Sequence, residues 1–165
     1  MGCVKPVERA DPRWRREEPT VELWELAARE SIRDLVARYN ANGDSGRFDQ
    51  VMALFAPDAV MEIEGDAPRV GHEEIRTIFT GAAGRADWGD RPVHLRHITG
   101  THQIDLVDES RATGRCYYFV LTAVGLDHWG RYLDEYRVVD GQWRFAKRRV
   151  STDGRSPDTL FAKEQ

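Results

Sequence analysis

Cysteine is nearly absent. Cys3 and Cys116 are the two in 165 residues and lie far apart, so neither a disulfide framework nor a four-thiolate zinc site can be assembled. That usage fits a reducing, cytoplasmic setting. Basic charge is not in excess either. Against 24 Lys and Arg stand 28 Asp and Glu, a net charge of -4, so the basic surface that phosphate neutralisation requires is missing and nucleic acid is not an expected partner. No apolar run approaches the ~18 residues of a bilayer span, and the start of the chain has no apolar signal region, so no membrane is expected. A Gly-rich phosphate loop after a strand and a Gly-x-Ser-x-Gly elbow are missing too, which leaves nucleotide and serine-hydrolase readings without support.

What is present suits one domain with one core. A globular chain of this length buries roughly 70% of its unfolded surface, and a hydrophobic fraction of 41% with five Trp makes that feasible. Residues 1 to 19 carry Pro6, Pro12, Pro19, mixed charges and a single large apolar side chain, Trp14, and read as a flexible tail or arm. The domain is expected over residues 20 to 155, with 156 to 165 as a C-terminal tail.

Trp24, Ala28, Ile32, Leu35, Val36 and Tyr39 recur at helical spacing after Thr20, a suitable N-cap, and Asn42-Gly43 marks an end or a kink. Phe48, Val51, Met52 and Phe55 predict a second helix that Pro57 ends. Residues 59 to 64 alternate as a strand, residues 71 to 79 open a third helix with acids in its first turn, and 80 to 91 read as a Gly-rich loop. From Pro92 the period changes to two, with strands expected at about 92 to 99, 102 to 107, 111 to 124, 130 to 139 and 142 to 151. Asp140-Gly141 is a hairpin signal between the last two. Helices first and strands afterwards indicate an α+β fold with a strongly curved, mostly antiparallel sheet. In the strand 111 to 124 one parity carries Ala112, Gly114, Cys116, Tyr118 and Val120, and the other Thr113, Arg115, Tyr117, Phe119 and Leu121. Two mostly apolar faces allow one to pack on helices while the other lines a cavity or a subunit interface.

Several segments, in order, resemble the SnoaL-like branch of the nuclear transport factor 2-like superfamily. They are Ile32-Arg33-Asp34-Leu35 with Tyr39 and Asp44, Leu54-Phe55-Ala56-Pro57-Asp58-Ala59-Val60, Gly71 with Ile75, Arg96-His97-Ile98-Thr99, Gly130-Arg131-Tyr132-Leu133-Asp134-Glu135-Tyr136, and Asp140-Gly141-Gln142-Trp143-Arg144-Phe145. That branch includes polyketide cyclases, scytalone dehydratase, bile-acid dehydratase and a dehydrochlorinase. The resemblance implies a cone-shaped α+β barrel, a curved sheet wrapped around three helices. This chain departs from the branch with Gly100, where many members have Asn.

The resemblance also implies that Asp44 and His97 meet inside the cone as an acid/base pair, since a carboxylate orients one imidazole nitrogen and favours its protonated form. Val93, Leu95 and His97 share a parity, so a satisfied core histidine is the competing reading, with Asp44 as a turn or cap residue. Tyr39, five residues before Asp44, matches a phenol that polarises a carbonyl or leaving hydroxyl, or else completes the helix's apolar stripe. Arg148 matches an arginine that holds an anion or leaving group, yet within Lys147-Arg148-Arg149 a solvated basic edge is the favoured reading. Tyr132, Asp134 and Tyr136 share a parity and are assigned to an oligomer interface ahead of catalysis. Substrate contacts are expected from Phe55, Tyr118, Val120, Trp129 and Tyr132. His94, His97 and His102 invite a metal site, but alternation puts the first two on opposite faces and His94 far from His102, so no metal is expected.

The function this implies is a cofactor-independent lyase or isomerase acting on a small hydrophobic cyclic substrate, with dehydratase-like elimination ahead of cyclase or ketosteroid-isomerase-like proton transfer. A non-catalytic ligand-binding or structural oligomer is the rival from another class. The expected partner besides the small molecule is a second or third copy of the chain.

Overall fold

The computed structural model describes residues 20–85 and 94–161. Tail residues 1 to 19, with Trp14, therefore lie outside the described residues, as do 86 to 93. The first helix, α1, spans Leu23–Asp44 and starts two residues later than Thr20 would allow. Its N-cap is Glu22, in a capping box whose Glu25 carboxylate accepts the Glu22 backbone N–H at 3.0 Å. Ala28, Ile32, Leu35, Val36 and Tyr39 form its buried stripe, whereas Trp24 stays partly exposed. The helix runs through Asn42-Gly43 and turns only at Ser45-Gly46, where Gly46 takes φ +68°. That extra half-turn carries Asp44 into the sheet.

Helix α2 covers Phe48–Met52 and stops five residues before Pro57. Pro57 instead lies inside strand β1, Phe55–Ile63, where the pairing shifts register between Phe55 and Val60. Its missing N–H leaves no ladder bond unmade at such an irregularity. After the two-residue strand β2, Arg69–Val70, helix α3 spans Gly71–Arg85, so residues 80 to 85 are helical rather than loop. The remaining strands are β3 (Arg96–Asp108), β4 (Arg111–Thr122), β5 (Gly125–Val139) and β6 (Gln142–Arg155).

These strands form one open six-stranded sheet in the order β2-β1-β6-β5-β4-β3, antiparallel except for the parallel β1–β6 pair. The helices pack inside its curve, with α1 across β3 and β6 and α3 against β1. Segregated helices and a coiled antiparallel sheet are the α+β arrangement that the change of period indicates. Among the described residues no helix is long and apolar enough to cross a membrane.

The two strands expected at 92 to 99 and 102 to 107 are one strand with a bulge. Gly100 pairs with Tyr117 and Gln103 with Arg115, so β3 carries one residue more than β4 there, and Thr101 adopts φ 53°. The bulge reverses side-chain parity. His97 and His102, which alternation places on opposite faces, both come to lie on the inner side, His97 against Asp44 and His102 against the Tyr136 hydroxyl.

Candidate active site

Asp44 is the last residue of α1, an unfavourable place for a carboxylate because the helix dipole is negative there. Its two oxygens are used in compensation. Oδ2 accepts the His97 backbone N–H at 2.8 Å, and Oδ1 lies 2.5 Å from His97 Nδ1. The Asp44 side chain is 7% exposed and that of His97 26%, so the carboxylate is sequestered while the ring remains reachable. With Nδ1 donating to the carboxylate, Nε2 is left as the working nitrogen.

The inner wall beside this pair is a row across three strands. Val120 of β4 pairs with His97 on one side and His128 on the other, so all three side chains stand at one level of the sheet. The His97 and His128 ring centroids are 6.4 Å apart and nearly perpendicular. Tyr118 touches both imidazoles and stacks on Tyr132 at 4.5 Å. The pair Asp127-His128, between the strands expected at 111 to 124 and 130 to 139, belongs to β5, where a bulge between the Val120 and Leu121 pairings lets both residues turn inward. Asp127 is fully buried. It accepts from the Thr122 and Thr159 hydroxyls and the Leu160 N–H, and its Oδ1 lies 2.7 Å from His128 Nδ1. Residues 156 to 161, read from sequence as the start of a tail, are thereby tied across this end of the sheet. Missing His128 had a remedy, since it shares the parity of Tyr132, Asp134 and Tyr136.

Deeper in the cone stands Arg148. Its side chain is 0% exposed, which overturns the solvated-edge reading. A bulge in β6, between the Glu135–Lys147 and Tyr136–Phe145 pairings, turns Arg148 inward, while Lys147 pairs with Glu62 at 2.7 Å. Arg148 Nε and Nη2 donate to the two oxygens of Asp134 at 2.8 and 2.7 Å, and the guanidinium lies 4.1 Å from the ring centroids of both Tyr39 and Tyr132. Burial by itself would favour neutral Arg148, but Asp134 outweighs it and holds the group charged. Nη1 is buried without a hydrogen-bond partner. Tyr39, Tyr132 and Tyr136 are buried, and burial pushes each phenol above its ordinary range. The interface assignment of Tyr132, Asp134 and Tyr136 is therefore corrected: alternation along β5 turns them into the cone, not toward the sheet's outer face. Phe55 packs edge-on against Tyr39 in the same core.

Trp129 is placed elsewhere. It lies on the outer face with Tyr117, Phe119 and Leu126, along an open groove of about 560 Å³, so it cannot share a substrate with His97 through the inner wall. Trp129 packs over Gly154, where an added Cβ would come within 2.3 Å of the indole. Of the nine expected residues, Asp44, His97, Tyr118 and Val120 come together at the site, Tyr39, Tyr132, Arg148 and Phe55 form the layer beneath, and Trp129 is outside. Among the described residues no group of three or more His, Cys, Asp or Glu side chains converges as metal ligands would.

Burial holds both His102 and His128 below the ordinary imidazole range, with Asp134 and Asp127 respectively pulling the other way. A histidine whose pKa is lowered in the fold binds fewer protons there than in the unfolded chain, so its contribution is complete above ~6.5 and is lost as pH falls below that value. Urea midpoints are expected to fall as the pH drops from about 7 to about 5, and the double variant His102→Gln/His128→Gln should flatten that decline.

An open, curved sheet closed over N-terminal helices, with a carboxylate–imidazole pair at the helix end, defines the class: the cystatin-like α+β fold of nuclear transport factor 2-like proteins. Within it the chain belongs to the SnoaL-like domain family, whose profile matches residues 24–149. No curated protein matches the sequence. Among solved structures, hexachlorocyclohexane dehydrochlorinase LinA-type3 from Novosphingobium barchaimii LL02 superposes with a TM-score of 0.70 at 19% identity, over 86% of this chain and 99% of that one. A putative scytalone dehydratase from Novosphingobium aromaticivorans gives 0.68 at 20% identity, over 86% and 98%. Rv3472, a function unknown protein from Mycobacterium tuberculosis, gives 0.68 at 27% identity, over 84% and 79%.

Proposed function

We propose that this chain is a cofactor-independent lyase or isomerase that moves a proton on a small hydrophobic cyclic molecule, most simply in a dehydratase-like elimination. The reading rests on the contact between Asp44 and His97, a sequestered carboxylate fixing the tautomer of an imidazole that is about one-quarter exposed. In the forward step His97 Nε2 takes a C–H proton next to an activating group, the electron pair forms the new double bond, and the leaving group departs from the adjacent carbon. Asp44 stabilises the imidazolium. The family and the fold neighbours, one a hexachlorocyclohexane dehydrochlorinase and one a putative scytalone dehydratase, are in keeping with elimination.

Tyr39 is the proposed donor to the oxygen or leaving group, with its ring held over Arg148. Arg148, already paired bidentately with Asp134, serves as the post that fixes Tyr39 and Tyr132, and its unpartnered Nη1 offers one further donor. A purely structural role would be expected if Tyr118, Phe119 and Trp129 together filled the cone, but Phe119 and Trp129 lie on the outer face.

The reading is tested without a substrate by following the His97 Nδ1 proton by NMR. In wild type its signal is expected far downfield, as for a proton in a short hydrogen bond to a carboxylate, and in Asp44→Asn it should move upfield because the amide oxygen is the weaker acceptor. Coincident signals in wild type and variant would mean that the two residues are not paired in solution, and the mechanism would fail.

A further inference from the structure

His97 and His128 stand on different strands but at one level of the sheet. With β4 between them their backbones are two strand spacings apart, about 10 Å, and Val120, which pairs with both, sets their side chains on the same concave face. The curve of the sheet brings the rings together, with centroids 6.4 Å apart and planes nearly perpendicular. Each ring is tied through Nδ1 to a carboxylate of its own, His97 to Asp44 at 2.5 Å and His128 to Asp127 at 2.7 Å. Those carboxylates are anchored in turn. Asp44 accepts the His97 backbone N–H, and the fully buried Asp127 accepts from Thr122, Thr159 and the Leu160 N–H. A carboxylate on Nδ1 orients an imidazole, fixes the tautomer that leaves the Nε2 lone pair free and raises its basicity, which is the support that metal-bound histidines have behind them. Here that support occurs twice around one space.

We propose that His97 and His128 together chelate a divalent cation of the zinc type, and that this cation inhibits the site by taking the lone pair of His97 Nε2. The inhibition rests on the role proposed above for His97, whereas the binding does not. Imidazole nitrogen suits Zn²⁺, Co²⁺, Ni²⁺ and Cu²⁺, while Mg²⁺ and Ca²⁺ want oxygen, so the pair selects the first group. With a Zn–N bond of ~2.0–2.1 Å, two rings sharing a tetrahedral ion have centroids about 5 Å apart. The present 6.4 Å is therefore closed by a shift of well under 1 Å in each ring, within the reach of side-chain rotation alone. The side chains are 26% and 13% exposed, so neither ring is sealed from an ion arriving through water. Burial holds His128 toward the neutral form that a metal ion requires. Two protein ligands are one fewer than a catalytic zinc usually keeps. The cation is thus a removable block on a base and not a part of the reaction.

Cobalt(II), a spectroscopic substitute for zinc, tests the site in the full chain. One equivalent is expected to give the strong visible bands of a tetrahedral ion without a thiolate charge-transfer band. The largest paramagnetic shifts in the NMR spectrum should fall on the His97 and His128 rings, ahead of those of His72, His94 and His102. His128→Gln should weaken binding tenfold or more, Asp127→Asn by roughly tenfold through the lost support of the ring, and His94→Gln not at all. Paramagnetic shifts centred on other histidines, or binding indifferent to His128→Gln, would overturn the site, and the wild-type spectrum decides this even if a variant does not fold. Zn²⁺ should also suppress wild-type ring opening of a nitrobenzisoxazole over the concentration range in which it binds. Undiminished turnover with both rings on the ion would overturn the inhibition. Failure of the His97 reading itself has another signature, a His97 Nδ1 proton indifferent to Asp44→Asn, so the two failures are told apart.

Discussion

Arg148→Ala is expected to lower the free energy of unfolding by roughly 3–5 kcal/mol, the range for removing one partner of a fully buried ion pair. The substitution leaves the Asp134 carboxylate at 4% residue exposure with only the Tyr136 hydroxyl as a side-chain partner, at 2.8 Å. It also empties the space between Tyr39, Tyr132 and Phe145, each of whose rings faces the guanidinium at 4.1 to 4.2 Å. Both effects act in the same direction, one through an uncompensated charge and one through a cavity. Their separation is experimental. Replacing the pair together, Arg148→Met with Asp134→Leu, removes the charge problem and should recover most of the loss, because buried ion pairs are commonly no better than apolar packing of similar volume. Urea denaturation of the two variants beside the wild type measures this. An Arg148→Ala protein as stable as wild type would mean that the guanidinium is not the post on which the tyrosines rest.

The fold was legible because periodicity is a local property with a long signal. Ala28, Ile32, Leu35, Val36 and Tyr39 mark a buried stripe whatever surrounds them, and Ala112, Gly114, Cys116, Tyr118 and Val120 alternate inward through the whole of β4. What the chain did not reveal are the places where an extra residue breaks the alternation. The bulge at Thr101 carries His102 to the inner side, the one beside Asp127 buries Asp127 and His128 together, and the one before Lys147 turns Arg148 inward. Strict parity misplaces His102, Asp127 and Arg148 by one residue, which in a strand means the opposite face, whereas His128 keeps the parity of Tyr132, Asp134 and Tyr136. The bulges lie where ionisable side chains enter the cone, so the errors of the sequence reading fall on the candidate site rather than on the scaffold. Asp44 and His97 escaped because Asp44 comes at a helix end and His97 precedes the first bulge. Trp129 was misplaced for another reason: its size and hydrophobicity suit a pocket, but its parity on β5 is opposite to that of His128 and Tyr132, which puts it on the outer face, packed over Gly154.

His97→Ala and Asp44→Asn are each expected to lower turnover by roughly 10² or more, the contribution typical of a positioned acid/base group. A nitrobenzisoxazole, whose ring opens on loss of one C–H proton, is a suitable probe because it demands a base in an apolar setting and little else. If the two residues act as one unit, the double variant should be scarcely worse than the worse single one, since a carboxylate that only orients and stabilises an imidazole has nothing left to do once the ring is gone. Independent contributions would multiply instead. Stability supplies the control. Asp44→Asn is nearly isosteric, and an amide oxygen can still accept the His97 backbone N–H that now reaches Oδ2 at 2.8 Å, so the end of α1 should remain docked on β3. Lost turnover with an unchanged melting curve assigns Asp44 to chemistry. A variant that melts early while each folded molecule turns over the probe at the wild-type rate assigns it to the helix end, and the function proposed for the pair would then be withdrawn.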